Sequence, residues 1–244
     1  TLYSLALKYD TDIIQYPTTD CTLYAEERGE KSCIHRNSKG NGYYEINSII
    51  ERKQFLNSRI LNYGSQVKFY KRSFLLNNQS SFMEGVAYEE PSFVYPLLFT
   101  AQKIYIFDKP WYYCHIHKES TMQSYVRQKG KLYDHPRVQL FLFNIMRNKP
   151  QIYQCFQSEI DYYFLFTFYY ETLYFAVSGH LYLGLDFFQM MQDTIKQLLP
   201  EWQHNSYINL DENKDVLSLL STVDVEFNEV SFKTFLNEIA SHIS

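Results

Sequence analysis

The chain has 244 residues, enough for one large domain or two small ones, and 45% hydrophobic with 20% charged residues is a globular composition. An aromatic share of 18% excludes a disordered chain, and 23 tyrosines and 19 phenylalanines against 8 glycines favour thick layers of helices packed on rings. The net charge is −4 with both signs mixed, and the best basic cluster, Lys68, Lys71 and Arg72, is too small to follow a phosphate backbone, so no nucleic-acid partner is expected.

Residues 1–9 read as an amphipathic helix with Leu2, Leu5 and Ala6 on one side. A chain that starts inside a helix, with no signal peptide, is expected to be a piece of something longer. Residues 12–16 form a short apolar run ended by Pro17, which suits an edge or parallel strand, and residues 22–25 suggest another short strand. Residues 26–42 are polar, from Glu26, Glu27 and Arg28 through Asn37 to Gly42, which is loop chemistry. Residues 44–61 carry Ile46, Ile49, Ile50, Phe55 and Leu56 at loosely helical spacing. A strand at 66–70 and one helical turn at 73–76 follow. Residues 90–103 give a clear helical stripe of Phe93, Val94, Leu97, Leu98 and Ala101. Pro91 lies in its first turn, and Pro96 should kink it or delay its start. Residues 104–107 and 111–116 read as two strands joined at Asp108, Lys109 and Pro110. Arg127 to Lys131 make a plausible linker. Beyond it, helices are expected over 137–147, 151–177, 181–199 and 231–243, with no internal repeat.

The four cysteines, Cys21, Cys33, Cys114 and Cys155, contain no C-x-x-C, so neither a zinc ribbon nor a redox motif is indicated. A reduced cytosolic chain is the simpler reading, with a disulfide between some pair left open. Residues 162–185 are long enough to span a bilayer. They are crowded with Tyr and Thr, however, contain Glu171 and His180, and are bounded by Asp161 and Asp186. A pair of buried helices broken near Ser178 and Gly179 fits this polar content better than a span.

The stretch that carries chemistry begins Phe82-Met83-Glu84-Gly85-Val86-Ala87-Tyr88-Glu89-Glu90-Pro91-Ser92-Phe93. It runs on through Ile104-Tyr105-Ile106-Phe107 and Pro110-Trp111-Tyr112-Tyr113 to His115-Ile116-His117-Lys118-Glu119-Ser120-Thr121-Met122. Two acids before a helix are commonly surface residues that suit its dipole; a carboxylate held there can also accept a proton from a sugar hydroxyl. Two histidines two apart on a strand point the same way, which is metal-ligand spacing in some sites and structural in more.

In this order the pieces resemble the second half of the catalytic domain of bacterial family 2 glycosyltransferases, from about Gln66 to Met122. The family pattern has an aromatic and Glu-Gly, then Tyr- or His-Glu-Asp with a following Phe, a helix, a strand, an aromatic-rich strand and an Arg-x-Arg-x-x-Ser-like loop. Residues 12–16 also resemble the strand that follows the family's Asp-x-Asp motif. The resemblance implies an α/β fold: a partial glycosyltransferase-A-type nucleotide-diphospho-sugar transferase domain over residues 1–125, then a mainly helical subdomain over 126–244.

The resemblance also implies roles. Glu90 stands where the family has its catalytic Asp, and would deprotonate the acceptor hydroxyl, with Glu89 beside it. Glu84, Tyr88, His115 and Ser120 would contact substrate. His115 and His117 replace two arginines that would clamp a diphosphate, and His117 is a candidate metal ligand. A nucleotide-sugar donor, a glycan or lipid-linked acceptor and a divalent metal, Mn or Mg, are implied for the intact enzyme. The implied location is cytoplasmic or peripheral at the inner face of the membrane, and the helical subdomain would be the surface for any homo-oligomer. The family's nucleotide-binding strands and Asp-x-Asp motif should precede Thr1. Asp10-Thr11-Asp12 has the right letters but falls at a helix end before the wrong strand. A non-enzymatic interaction module is the competing expectation.

Overall fold

The computed structural model describes residues 1–22, 33–35, 39–58, 60–116, 132–179, 181 and 183–243. The chain divides into two compact units, one of Thr1–Gly85 with Glu89–Ser124, the other of Val86–Tyr88 with Tyr125–Ser244.

The first unit opens with helix α1, Leu2–Tyr9, whose N-cap Thr1 side chain accepts from the Ser4 amide and whose C-cap Asp10 takes a left-handed conformation. Strand β1, Ile13–Gln15, is buried along its whole length. Strands β2, Thr18–Thr22, β3, Cys33–His35, and β4, Gly42–Glu45, precede helix α2, Ile49–Asn57. Then come β5, Lys68–Tyr70, helices α3, Arg72–Asn78, and α4, Glu90–Leu98, and strands β6, Lys103–Ile106, and β7, Tyr112–Ile116.

Among the described residues the strands make two sheets. One is four-stranded in the order β4-β6-β1-β5, and the other three-stranded in the order β3-β2-β7. Strand β1 runs parallel to β6, with Ile13 opposite Ile104, and antiparallel to β5, with Gln15 opposite Lys68. Strand β1 is paired on both sides and buried at Ile13, Ile14 and Gln15 alike, so its sequence does not alternate between apolar and polar. Leu2, Ile14, Tyr16 and Val67 form a core cluster with Leu5 and Ala6 packed against it, so the apolar side of α1 is what covers this part of the sheet.

Several elements differ from the sequence expectation. Residues 44–61 are not one helix. Tyr43 and Tyr44 belong to β4, which pairs with β6, and α2 begins at a capping box in which Ser48 and Glu51 satisfy each other's amides. The short strand expected over 22–25 is centred earlier, as β2, and residues 23–25 lie outside the described residues. Helix α4 stops at Leu98 instead of running to Lys103. The buried Arg52 of α2 donates to the carbonyl oxygens of Leu98 and Ala101, taking over acceptors that a longer helix would have used internally. Pro96 sits inside α4 without delaying its start at Glu90. Strands β6 and β7 are neighbours in sequence but lie in different sheets, because β7 pairs with β2.

The cysteine reading is corrected in part: Cys21 is disulfide-bonded, whereas Cys114 and Cys155 are free thiols. The backbone register places Cys21 opposite Cys33 in the β2–β3 pair.

Every regular element of the second unit among the described residues is helical. They are α5, Asp134–Arg147, α6, Pro150–Phe164, a π-helical segment Leu165–Glu171, α7, Thr172–Ser178, α8, Leu185–Leu198, α9, Lys214–Leu220, and α10, Glu229–Ile243, with short 3₁₀ turns between them. The core is aromatic. Phe143 stacks on Phe164 at 4.2 Å between centroids, Phe164 on Phe168 at 4.7 Å, and Phe188 contacts Phe227, Phe232 and Phe235. Half-buried tyrosines find partners for their hydroxyls: Tyr153 donates to Asp161 at 2.7 Å, Tyr162 to Asn213 at 2.8 Å and Tyr207 to Glu159 at 2.6 Å. Helix α8 starts at Leu185, later than the pattern from residue 181 suggests, because Gly184 is extended at its N-cap. The linker at Arg127 to Lys131 lies outside the described residues. No helix among them is long and apolar enough to cross a membrane, and the stretch 162–185 is instead interrupted by the π segment and by Gly179 at the end of α7.

Candidate functional site

The glutamate pair sits where the sequence places it, at the start of a helix. Glu89 is the N-cap residue of α4 and Glu90 its first residue, followed by Pro91. Pro91 lacks an amide hydrogen, which costs nothing in a first turn where amides have no helical partner. The Glu89 carbonyl accepts from the amide and the hydroxyl of Ser92, at 3.1 and 2.7 Å, which closes the first turn. The Ser92 hydroxyl in turn accepts from the Met83 amide at 3.1 Å, tying the Phe82-Met83-Glu84-Gly85 segment to α4. Gly85 has φ +73, a left-handed turn that glycine adopts without cost.

The Glu90 side chain is held by one residue. Its Oε1 accepts from the Ser65 amide at 2.9 Å and from the Ser65 hydroxyl at 2.8 Å. Among the described residues nothing hydrogen-bonds Oε2. Two further groups feel this carboxylate. Lys68 is buried, and its ammonium is pulled down to about 7 by loss of water, with the charge of Glu90 opposing the shift. The Tyr70 hydroxyl is buried without a hydrogen-bond partner, and burial first, then the negative charge of Glu90, pushes its ionisation well above the usual tyrosine value. A half-exposed carboxylate with one oxygen anchored and the other uncommitted can take a proton from a hydroxyl group that approaches it.

The remaining candidates are scattered. Glu84 is exposed on the loop before α4. His115 is exposed on β7, opposite Cys21 of β2, and makes no hydrogen bond or ion pair with Glu90. His117 and Ser120 lie outside the described residues. Tyr88 belongs to the second unit. It holds a left-handed φ of +61, and its ring meets His135 edge-on at 5.3 Å and stacks on Phe175 at 6.0 Å, so in this structure it serves aromatic packing. No three His, Cys, Asp or Glu side chains converge as a metal site among the described residues. Those residues therefore do not hold the implied divalent metal by themselves. Asp10 and Asp12 are used structurally: Asp10 pairs with Lys71 at 2.7 Å and Lys103 at 3.1 Å, and Asp12 Oδ2 accepts from the amides of Gln102 and Lys103.

Sequence reasoning missed a second polar constellation, in the helical unit. His135, at the start of α5, has Nδ1 3.0 Å from the Thr172 hydroxyl and Nε2 3.6 Å from Glu171 Oε2. The order Thr, His, Glu has the form of a nucleophile, a base and an orienting acid. Thr172 is fully buried and also donates to the Thr167 carbonyl at 3.4 Å, across five residues, which is the spacing of the π segment. The trio accordingly accounts for how the π segment joins α7, and no substrate can reach the hydroxyl. His135 lies 37 positions before Thr172, so only an interrupted helix pattern near Glu171 could have hinted at it. Ser65 and Lys68 were missed for a related reason: neither belongs to a motif, and both gain meaning only when β5 is paired beside β1.

Compared with known proteins, the chain matches no protein-family model, and no curated protein matches it significantly.

Proposed function

We propose that this chain is the acceptor-side part of a glycosyltransferase of the family 2 type, with Glu90 as general base. The observation that carries the proposal is the Glu90 carboxylate at the first position of α4, fixed through Oε1 by both donors of Ser65 while Oε2 is uncommitted. The order of elements around it supports the reading: a turn at Glu84 and Gly85, the two glutamates, a helix, the strand β6 and the aromatic strand β7 follow one another as the resemblance implies.

In the proposed reaction an acceptor hydroxyl gives its proton to Glu90 Oε2. Its oxygen forms the new bond to the anomeric carbon of a nucleotide-sugar donor. The bond from that carbon to the diphosphate breaks, and its electron pair leaves with the nucleoside diphosphate. The donor site and the divalent metal belong to parts of the intact enzyme beyond the described residues.

Glu90→Gln in the intact enzyme tests this. The amide oxygen of glutamine can still accept from Ser65, so position is kept and basicity is lost. Turnover is expected to fall by about 100-fold or more, with KM changed little. Unchanged turnover removes Glu90 from the chemistry. It would favour the second reading, a non-catalytic interaction module, for which the specific observation is the stacked ring series Tyr162, Phe166, Tyr170 and Tyr174 ending at the exposed Tyr174.

A further inference from the structure

The position of Glu90 depends on a turn built from the neighbouring strands. Ser65 closes the segment of residues 62–65, which has no helix or strand of its own. Two buried side chains hold that segment. Gln15 of β1, 4% exposed, donates from Nε2 to the Ile60 carbonyl at 2.8 Å, and its Oε1 accepts from the Asn62 amide at 2.9 Å. Lys68 of β5, 6% exposed, donates from Nζ to the Asn62 carbonyl at 2.6 Å, to Asn62 Oδ1 at 2.9 Å and to the Gly64 carbonyl at 2.7 Å. Asn62 Oδ1 also accepts from the Gly64 amide at 3.0 Å.

Three oxygens facing one nitrogen match the three donors of an ammonium group. Burying that charge is costly, and a core position with only a packing role is filled at lower cost by an apolar residue. The three acceptors lie on residues 62 and 64, immediately before the serine that grips Glu90.

We infer that Lys68 is a positioning residue for Glu90: by tying residues 62–64 together it fixes the one turn geometry in which Ser65 presents both its amide and its hydroxyl to the carboxylate. The inference rests on the reading of Glu90 as the base. Lys68 itself touches no substrate in this scheme.

The test uses the full chain with Lys68→Met, which keeps side-chain length and removes the donors, beside Ser65→Ala and Asn62→Ala. One NMR quantity is read, the hydrogen exchange of the Ser65 amide that donates to Glu90. In Lys68→Met, exchange at Ser65 is expected to rise by about tenfold, the fold-change expected for one lost hydrogen bond. Ser65→Ala, which removes the hydroxyl and keeps the amide, is the reference for loss of the side-chain donor alone. The amides of Ile13 and Ile14 should keep wild-type protection. Asn62→Ala, at an exposed position, removes one acceptor without emptying the core and should give the same pattern in smaller measure, so the question stays answerable if Lys68→Met fails to fold. A folded Lys68→Met or Asn62→Ala with Ser65 exchange as in wild type overturns the inference.

In the intact enzyme, Lys68→Met should lower kcat with KM little changed, and Lys68→Arg should restore part of it. If Glu90→Gln keeps full turnover while Lys68→Met still frees Ser65, the base reading fails and the positioning contact stands. If Glu90→Gln abolishes turnover while Lys68→Met alters neither Ser65 exchange nor kcat, the inference alone fails.

Discussion

The buried Lys68 makes the stability of the first unit depend on pH in a calculable way. Burial lowers its pKa from 10.5 to about 7 in the folded chain, so between those values the unfolded chain binds the extra proton. Folding stability therefore rises with pH across that window, because the native state no longer has to bury a charge. Integrated from about pH 7 to about pH 9, one group with these two pKa values contributes about 2 kcal/mol. The carbonyl acceptors on Lys68 favour the charged form and oppose the shift, which makes that figure the upper end. Other groups act in the same range: burial lowers the Lys149 pKa, with the same sign of effect, and raises that of Cys114, with the opposite sign. The informative quantity is thus the difference between wild type and Lys68→Met. Urea unfolding, followed through Trp111 with Trp202 replaced by Phe, should show wild type gaining on the variant as pH rises. A difference that stays flat, or that moves against wild type, would refute the argument that a desolvated charge sits beneath the Ser65 turn.

Further expectations follow from single contacts. Arg52→Met leaves the buried carbonyls of Leu98 and Ala101 without their donor and should destabilise the chain by about 2–5 kcal/mol, measured by chemical unfolding; a loss under about 0.5 kcal/mol would contradict it. The 244-residue chain alone should give no micromolar binding signal with uridine or guanosine diphosphate sugars in calorimetry, since its one Asp-x-Asp is committed to the Lys71 and Lys103 side chains and the amides of Gln102 and Lys103.

What could be read from the sequence divides along the range of the interactions. Helix α1 was legible because Leu2, Leu5 and Ala6 recur at helical spacing, and strand β1 because Pro17 ends its apolar run. The start of α4 was legible from Glu90 and Pro91, both local signals. Its end was not, because it is set by Arg52, a residue 46 positions away. The second half of strand β4 is absorbed into the helix expected over 44–61 because Tyr44 looks apolar in either pattern, and only pairing with β6 decides the matter. The same holds at the site. The carboxylate could be found from its neighbours in sequence. Ser65, which aims it, lies 25 positions away and carries no motif.

That contact changes what is expected when Glu90 is shortened. The resemblance puts aspartate at this position, so Glu90→Asp is the natural first test of whether the family's geometry is better. In this chain the longer side chain is what reaches Ser65. Removing one methylene withdraws the carboxylate by about 1.5 Å, one carbon–carbon bond. Contacts of 2.9 and 2.8 Å from the amide and hydroxyl would then open beyond hydrogen-bonding range unless the turn followed. The turn cannot follow freely, because Lys68 and Gln15 hold it from beneath. Glu90→Asp should therefore keep a base but lose its aim. Turnover in the intact enzyme is expected to fall about tenfold to 100-fold, in line with the cost of a displacement near 1 Å. An aspartate variant with wild-type or higher turnover would mean that the acceptor is met by a carboxylate freed from Ser65, and the positioning role of the turn would fall with it.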